Sequence, residues 1–421
     1  WMARGIHTVP GTIDRSVSRP GALNSADLRE SLPYLCALDP SAAPAPSLRG
    51  FRYFPYSDFA AYQQPRFSFF LKTISDRTLA TESINGENLK GHLLNSGDGY
   101  IIQTGNEYFN LMPVWNWNKL PGVTTYDGAT RIDRRAFTGS VGDGQNGLTV
   151  MDYALSGTSG RKLTARKFWG CHDGLVVCLI GGIRDSTPRD GGIPANGQSP
   201  RDGGIPTNGQ SLRNSGIPAP YTTLDQCRWA GAVTVGRKGS ESILHEGDHH
   251  LDSVNWFWHA GVTTLFLQPA HLDIQAGAAS GSWSSINTSG SKTTITENTF
   301  TPVLLHPHDS AAAYILTAGT TLNDARSLAG HLPCQVIRND QDIQAIRFAD
   351  GMIMAAFYSP GALRLTQTQK ISVDHPCLLL ISAKTTCVSD PSRQSQTITV
   401  QLNHTTHTVH LPADGTTVKL L

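Results

Sequence analysis

Short apolar runs separated by turn residues dominate the chain between residues 49 and 330. Glycine, proline, asparagine and aspartate lie between the runs, and this combination is typical of β-strands. Because few helix signals interrupt the series, we predict a mainly β protein with antiparallel sheets packed face to face. The predicted strands lie at residues 67–71, 100–104, 148–153, 175–180, 233–235, 255–258 and 262–267.

A second, smaller group of apolar runs follows residue 330. The last two runs alternate polar and apolar residues around Asn403-His404-Thr405, which is the pattern of a β-hairpin. We therefore predict a C-terminal β-sandwich with a structural role. Its predicted strands lie at residues 343–348, 352–358, 377–382, 397–402 and 406–411.

The N-terminal residues carry the only clear helical pattern. Leu28, Leu32 and Leu35 recur on one stripe, and Asn24 or Ser25 can cap the helix. A segment rich in proline and alanine follows, and its composition is that of a linker. The predicted organisation is a helical end with its linker (1–48), a central β domain (49–330) and a C-terminal β domain (331–421).

One segment of the central domain does not fit the strand pattern. Residues 188–199 recur almost unchanged as 200–211, and each copy contains a single isoleucine among glycines, prolines and polar residues. Two and a half such copies cannot bury an apolar core. We predict that residues 186–220 form a solvent-exposed, mobile insertion.

Composition narrows the function only slightly. A formal net charge of +1 gives no overall field that would attract an acidic polymer, so any such attraction must come from a local patch. The seven cysteines include no CxxC pair, and an odd number cannot form a closed disulfide framework. Cys377 and Cys387 could pair, but the other cysteines are expected to be buried apolar residues.

The segment Thr81–Gly91 places carboxylates, amides and a lysine between two predicted strands. A loop this polar can present side chains to a ligand. It can equally be a surface turn whose own asparagine and glutamate side chains satisfy its backbone. The residues alone leave the two interpretations even.

This segment resembles the start of the β domain in polysaccharide lyase family 8, which includes chondroitin AC, hyaluronate and xanthan lyases. The chondroitin lyases give the closest resemblance. The resemblance implies a large multi-sheet β-sandwich preceded by a helical toroid, of which residues 1–48 would be the last part. Further matching segments lie at residues 14–21, 115–125, 165–169, 222–227 and 254–256.

The family resemblance implies cleavage of a uronate-containing polysaccharide, of the chondroitin or hyaluronan type, by β-elimination without a cofactor. It also implies a secreted protein, extracellular or periplasmic, that meets no nucleic acid and no membrane. The family's Tyr, His and first Asn belong to the toroid, and no residue here matches them. Because the chain begins with Trp1 rather than Met, we expect a piece of a longer enzyme that is inactive without that toroid.

Four residues take their expected roles from the resemblance, and two tryptophans are candidates because of their own chemistry. Arg15 and Glu82 match catalytic positions, with Glu82 orienting the guanidinium of Arg15, while Arg19 and Asn85 match substrate-binding positions. Trp115 and Trp117 could stack on sugar rings or could belong to the core, and these alternatives are even.

No metal site is expected in this chain. Acidic residues near the tryptophans can bind a divalent cation in chondroitin AC lyases, but this chain has Asn116 and Asn118 there. The string His245-Glu246-Gly247-Asp248-His249 fits a zinc motif that requires a helix, and we predict a turn instead. His306 and His308 are expected to be structural.

Two other classes of function remain open. The chain could be a non-catalytic carbohydrate-binding module. It could also be a mutarotase-like or hydrolase β-sandwich, although a hydrolase needs two facing carboxylates and only Glu82 and Glu87 are near each other in sequence.

Overall fold

The computed structural model describes residues 49–157, 160–186, 219–307 and 310–420. Within these residues the chain forms 28 strands and one α-helix, so the prediction of a mainly β protein is confirmed. The predictions for Arg15, Arg19, Cys36, His308, the N-terminal helix and residues 187–218 of the repeat lie outside the described residues.

The first fourteen strands are β1 (Gly50–Phe54), β2 (Phe59–Gln63), β3 (Ser68–Lys72), β4 (Asp98–Ile102), β5 (Thr124–Thr125), β6 (Ala129–Ile132), β7 (Thr138–Gly142), β8 (Gly147–Gly157), β9 (Lys162–His172), β10 (Leu175–Ser186), β11 (Tyr221–Thr223), β12 (Cys227–Arg228), β13 (Val233–Arg237) and β14 (Ser240–Leu244).

The remaining elements are β15 (Gly247–His259), β16 (Val262–Gly281), β17 (Ile295–Leu305), β18 (Ala312–Ala318), α1 (Leu322–Gly330), β19 (Cys334–Asn339), β20 (Ile343–Phe348), β21 (Ile353–Phe357), β22 (Gly361–Arg364), β23 (Lys370–Val373), β24 (Cys377–Ile381), β25 (Thr386–Ser389), β26 (Thr397–Leu402), β27 (Thr405–His410) and β28 (Val418–Lys419).

These strands form four antiparallel sheets. The first sheet has the order β1-β2-β3-β4, and the large sheet contains fourteen strands from β5 to β18. The third sheet has the order β19-β20-β21-β24-β25-β28, and the fourth has the order β22-β23-β26-β27. Three hydrophobic cores lie between successive sheets, so the sheets are stacked as layers.

Strands in the middle of the stack are buried on both faces. In β8, Met151 and Tyr153 belong to the first core, whereas Leu148 and Val150 belong to the second core. Alternate residues of a strand point to opposite faces, so each face of β8 packs against a different neighbour. This explains why such strands read as continuous apolar runs rather than as an alternating pattern.

Every strand predicted in the central domain overlaps an observed strand, but the predictions for β15 and β16 are too short. These strands have 13 and 20 residues, and their polar ends extend beyond the apolar runs. The hairpin of β26 and β27 is confirmed, with Asn403 at φ 56° in its turn. Asparagine tolerates this left-handed conformation better than most residues.

One prediction needs correction, and one possibility that the sequence left open is resolved. Helix α1 lies in a region that we predicted to be β: it is short, Ala325 is its buried residue, and the side chains of Thr321 and Asp324 cap its first turn. Cys377 and Cys387 do not pair. Cys377 faces the third core and Cys387 faces the second core, so their side chains point to opposite sides of the third sheet.

Within the described part of the chain, no helix is long and apolar enough to cross a membrane.

Candidate functional site

The polar loop between β3 and β4 contains a tight turn at its tip. The N–H of Glu87 donates to the carbonyl oxygen of Ile84 at 2.9 Å, and the two residues between them have positive φ angles. These are Asn85 at 54° and Gly86 at 74°. Two successive positive φ angles define a type I′ turn, for which Asn-Gly is the preferred pair. The sequence at the tip therefore dictates its backbone shape.

Further hydrogen bonds hold this loop in place. The side-chain amide of Asn88 donates to the carbonyl oxygen of Glu82 at 2.7 Å. The loop also docks on residues 283–290, because Thr288 N donates to Gly86 O at 2.8 Å and Leu89 N donates to Ile286 O at 3.0 Å. The interpretation as a self-satisfied surface turn is therefore correct for the backbone.

The side chains of the loop tip remain available to a ligand. Glu82 and Asn85 are both exposed. Within the described residues, the Glu82 carboxylate has no hydrogen-bond or ion-pair partner, and the same holds for the side-chain amide of Asn85. The turn interpretation and the ligand interpretation are thus compatible. Because Arg15 and Arg19 lie outside the described residues, the pairing of Arg15 with Glu82 stays a prediction.

Trp115 and Trp117 belong to the first hydrophobic core. Their side chains are 5% and 6% exposed, and their rings meet edge to face with centroids 5.7 Å apart. Trp115 also stacks on Tyr100 at 6.3 Å, and Trp117 Nε1 donates to Met112 O at 3.2 Å. Rings this deeply buried offer no free face to a sugar. The burial favours the core interpretation that the sequence left open.

The residues that alternate with these tryptophans point the other way. Asn116 and Asn118 are exposed, while Lys119 is half-buried. The side chain of Gln226, only 2% exposed, binds the backbone of this loop from below. The sequence of residues 222–227 resembles the family, but it assigns Gln226 no role, because nothing in the local sequence shows that this side chain is buried.

Three segments form one continuous edge of the molecule. The 3-10 turn Met112–Val114 contacts the 3-10 turn Trp283–Ser285, and the latter precedes the residues on which the polar loop docks. At Gly281 an added Cβ atom would lie 1.9 Å from the carbonyl oxygen of Pro113, so only glycine permits this close backbone approach. Glu82, Asn85, Asn116 and Asn118 therefore belong to adjoining segments.

A buried lysine braces the turn that follows. Lys167 Nζ donates to the carbonyl oxygen of Gly122 at 2.5 Å and lies 5.0 Å from the ring centroid of Tyr153. Burial lowers the pKa of Lys167 to about 7, although Cys178 and Asp98 oppose the shift. Burial also raises the pKa of Asp98 to about 6. These groups are too deep to meet a polymer, so their role here is structural.

The tyrosines of the described residues are poor candidates for a proton-transferring base. Burial raises the pKa of Tyr100, Tyr108 and Tyr314 well above the usual value. Tyr56 is 86% exposed, but it lies in the turn between β1 and β2 and not in the polar loop between β3 and β4. The polar loop itself contains no tyrosine.

The string His245–His249 forms no helix, as predicted, but Gly247 and Asp248 lie in a strand rather than in the predicted turn. Residues 245–246 form the bend between β14 and β15, and residues 247–249 begin β15, so no helix forms. His249 Nε2 lies 2.9 Å from His245 O. His306 is fully buried between Thr222 Oγ1 at 2.7 Å and Ser310 O at 3.1 Å. Within the described residues, no cluster of three or more His, Cys, Asp or Glu side chains could hold a metal ion.

Comparison with known proteins gives two family matches. Residues 49–193 and 202–329 match the super-sandwich domain of polysaccharide lyase family 8, and residues 335–399 match its C-terminal β-sandwich domain. The first match is interrupted at residues 194–201, which lie inside the sequence repeat.

Individual relatives agree with these matches. The chain is 28% identical over 403 residues to chondroitinase-AC of Pedobacter heparinus, covering 87% of this chain and 51% of that protein. It is also 28% identical over 403 residues to hyaluronate lyase of Thermasporomyces composti, covering 87% of this chain and 45% of that protein. The chain therefore spans about half the length of these relatives.

A solved structure of chondroitinase AC lyase, from a study of its oligosaccharide complexes, has the same fold. Its TM-score is 0.75 at 26% sequence identity, and the alignment covers 96% of this chain and 61% of that chain. The four stacked sheets, the family matches and these relatives agree. This chain belongs to polysaccharide lyase family 8.

Proposed function

We propose that this chain is the β portion of a lyase that cleaves a uronate-containing polysaccharide of the chondroitin or hyaluronan type. The observation that carries the proposal is the polar loop, whose rigid turn leaves Glu82 and Asn85 exposed and without partners among the described residues. The similarity to chondroitinase-AC and to a hyaluronate lyase supports this substrate class. A secreted location is part of the proposal.

The reaction is a β-elimination. A base removes the proton at C5 of the uronate, the C5–H electron pair forms a C4–C5 double bond, and the bond from C4 to the leaving oxygen breaks. That oxygen then takes up a proton. The C5 proton becomes acidic enough only when the neighbouring carboxylate is neutralised by hydrogen bonds or positive charge.

In this scheme Glu82 positions the guanidinium of Arg15, which neutralises charge on the substrate. Asn85 contacts the sugar from the same turn. The proton-transferring Tyr and its His and Asn partners come from a helical domain outside this chain. The burial of Tyr100, Tyr108 and Tyr314 supports this assignment, since a base must reach the polymer.

The proposal is tested in the longer enzyme obtained from the reading frame around this chain. Glu82→Gln removes the charge but keeps the size of an exposed side chain, so the melting temperature should not change. We expect kcat on chondroitin or hyaluronan to fall about 100-fold, because misplacing a catalytic group typically costs this much. The release of ultraviolet-absorbing unsaturated uronate measures turnover.

Glu87→Gln is the matched control, because Glu87 is an exposed carboxylate in the same loop. It should leave turnover within about twofold, whereas a hydrolase that used both glutamates would lose activity in either variant. The isolated 421-residue chain should release no unsaturated uronate. A fully active Glu82→Gln enzyme, or robust product from the isolated chain, would overturn the proposal.

A further inference from the structure

Two distant segments are locked together beside the polar loop. Gln226 Oε1 accepts from Asn116 N at 2.7 Å, and Gln226 Nε2 donates to Asn116 O at 3.1 Å and to Lys119 O at 2.8 Å. One side chain thus uses its acceptor and both of its donors on a single loop. We call this arrangement the clamp. The backbone N–H of Gln226 donates to Asp225 Oδ1 at 2.8 Å, which holds the backbone of the clamp in place.

The loop held by Gln226 is rigid on its outer side as well. Asn116 Oδ1 accepts from Asn118 N at 3.1 Å, and Lys119 N donates to Asn116 O at 2.8 Å. Because the Oδ1 atom of Asn116 accepts this hydrogen bond, the NH₂ group of the same side chain remains available to solvent. Within the described residues, neither this NH₂ group nor the Asn118 side-chain amide has a partner.

The chemistry of this exposed surface suits an acidic sugar. Two amides that point to solvent can donate to hydroxyl, N-acetyl or carboxylate oxygens, and the ammonium of Lys119 supplies a positive charge beside them. Since the buried Trp115 and Trp117 support the loop and Gln226 holds its backbone, little backbone entropy would be lost on binding.

We propose that Asn116 and Asn118 form a sugar-binding ledge and that Gln226 is its positioning residue. The inference rests on the proposed function, because it takes the same polysaccharide as ligand. The ledge adjoins the polar loop through residues 112–114 and 283–290, so one bound chain could touch both. Gln226 acts only through the loop that it holds.

The chain offers a matched control for the clamp. Gln344 is also fully buried, donates to Arg166 O at 3.1 Å and Asn339 Oδ1 at 2.8 Å, and accepts from Tyr358 OH at 2.6 Å. It lies on β20 in the third sheet, away from the polar loop. Gln226→Met and Gln344→Met remove the same number of hydrogen bonds, so both should lower the melting temperature.

The experiment titrates chondroitin tetrasaccharide into the 421-residue chain labelled with nitrogen-15 at asparagine and glutamine. The side-chain NH₂ signals of Asn116 and Asn118 should shift on binding. Gln226→Met should weaken binding about tenfold, whereas Gln344→Met should change it less than about twofold. Asn118→Ala is a surface change that should not affect folding, and we expect it to weaken binding about threefold.

The outcomes separate this inference from the proposed function. The ledge is overturned if the tetrasaccharide binds without shifting the NH₂ signals of Asn116 and Asn118. It is also overturned if Gln226→Met and Gln344→Met bind the tetrasaccharide with the same affinity. In both cases the lyase assignment stands. If no signal shifts at saturating tetrasaccharide, the ledge is also overturned, and the Glu82→Gln assay then judges the lyase assignment alone.

Discussion

The two ends of the sheet stack differ in the number of acidic and basic side chains that they bury. In the described residues between 49 and 330, the buried side chains of acidic and basic residues are those of Asp58, Asp98, Arg161 and Lys167. In residues 334–420, Asp390 is the buried charged residue of the described chain. Burying a charge is costly unless it is paired or hydrogen-bonded. The first region therefore accepts a cost that the C-terminal sandwich largely avoids.

The buried charges of the first region hold loops rather than sheets. Asp58 accepts from Ser75 Oγ at 2.5 Å, Thr78 Oγ1 at 2.6 Å and Tyr53 OH at 2.9 Å, which fixes the segment that leads into the polar loop. Lys167 holds the turn at Gly122. In the C-terminal sandwich the buried Asp390 likewise holds a loop, because it accepts from Ser392 N and from Gln394 N at 2.8 Å each. Buried charges thus fix loops in both regions, and the first region, which contains the candidate site, has more of them.

The largest expected effect comes from the apolar end. Phe357→Ala removes a fully buried ring of the third core, and such truncations typically cost about 3–5 kcal/mol of unfolding free energy. Because the third core holds no loop of the candidate site, tetrasaccharide binding should be unchanged below the new melting transition. Denaturant unfolding and the titration above measure the two quantities. If Phe357→Ala also lowered the affinity for the tetrasaccharide, the two ends of the stack would be coupled, and the difference described between them would not hold.

A smaller effect is expected where the core supports the ledge. Trp117→Phe removes the hydrogen bond to Met112 O and leaves a void, so we expect a loss of about 1–3 kcal/mol of unfolding free energy. Affinity should fall only modestly. The fluorescence difference between wild type and variant reports on Trp117 itself, and tetrasaccharide should not alter its quenching by acrylamide. Protection by the sugar would mean that the ring stacks on substrate.

The sequence predicted the layered fold better than it predicted the details of the site. Seven strands of the central domain were found, but the apolar strand β18 was missed. The aromatic hairpin of β1 and β2 was also missed, because its residues show no simple alternation. The Asn85-Gly86 turn could be read from the residues. The clamp by Gln226 could not, because it joins segments that are 110 positions apart in the chain, and the residues alone left the burial of Trp115 open.

The last prediction concerns the pH dependence of stability, which should come from the charged end of the stack. Burial lowers the pKa of Lys167 to about 7 in the folded chain, against about 10.4 for an unfolded lysine. Between these values the unfolded state binds one more proton, so stability rises with pH by about 1.4 kcal/mol per pH unit. Below about pH 7 both states bind the proton, and this slope disappears.

Other groups limit the useful window. Burial raises the pKa of Cys171 and Cys227 well above the usual value, so cysteines ionise first in the unfolded state and reduce stability above about pH 8.5. Unfolding should therefore be measured between about pH 7 and pH 8.5, in wild type and in Lys167→Met. The difference in slope isolates Lys167. Lys90→Met, at an exposed position, should keep the wild-type slope, and an equal slope in Lys167→Met would show that Lys167 does not titrate in this range.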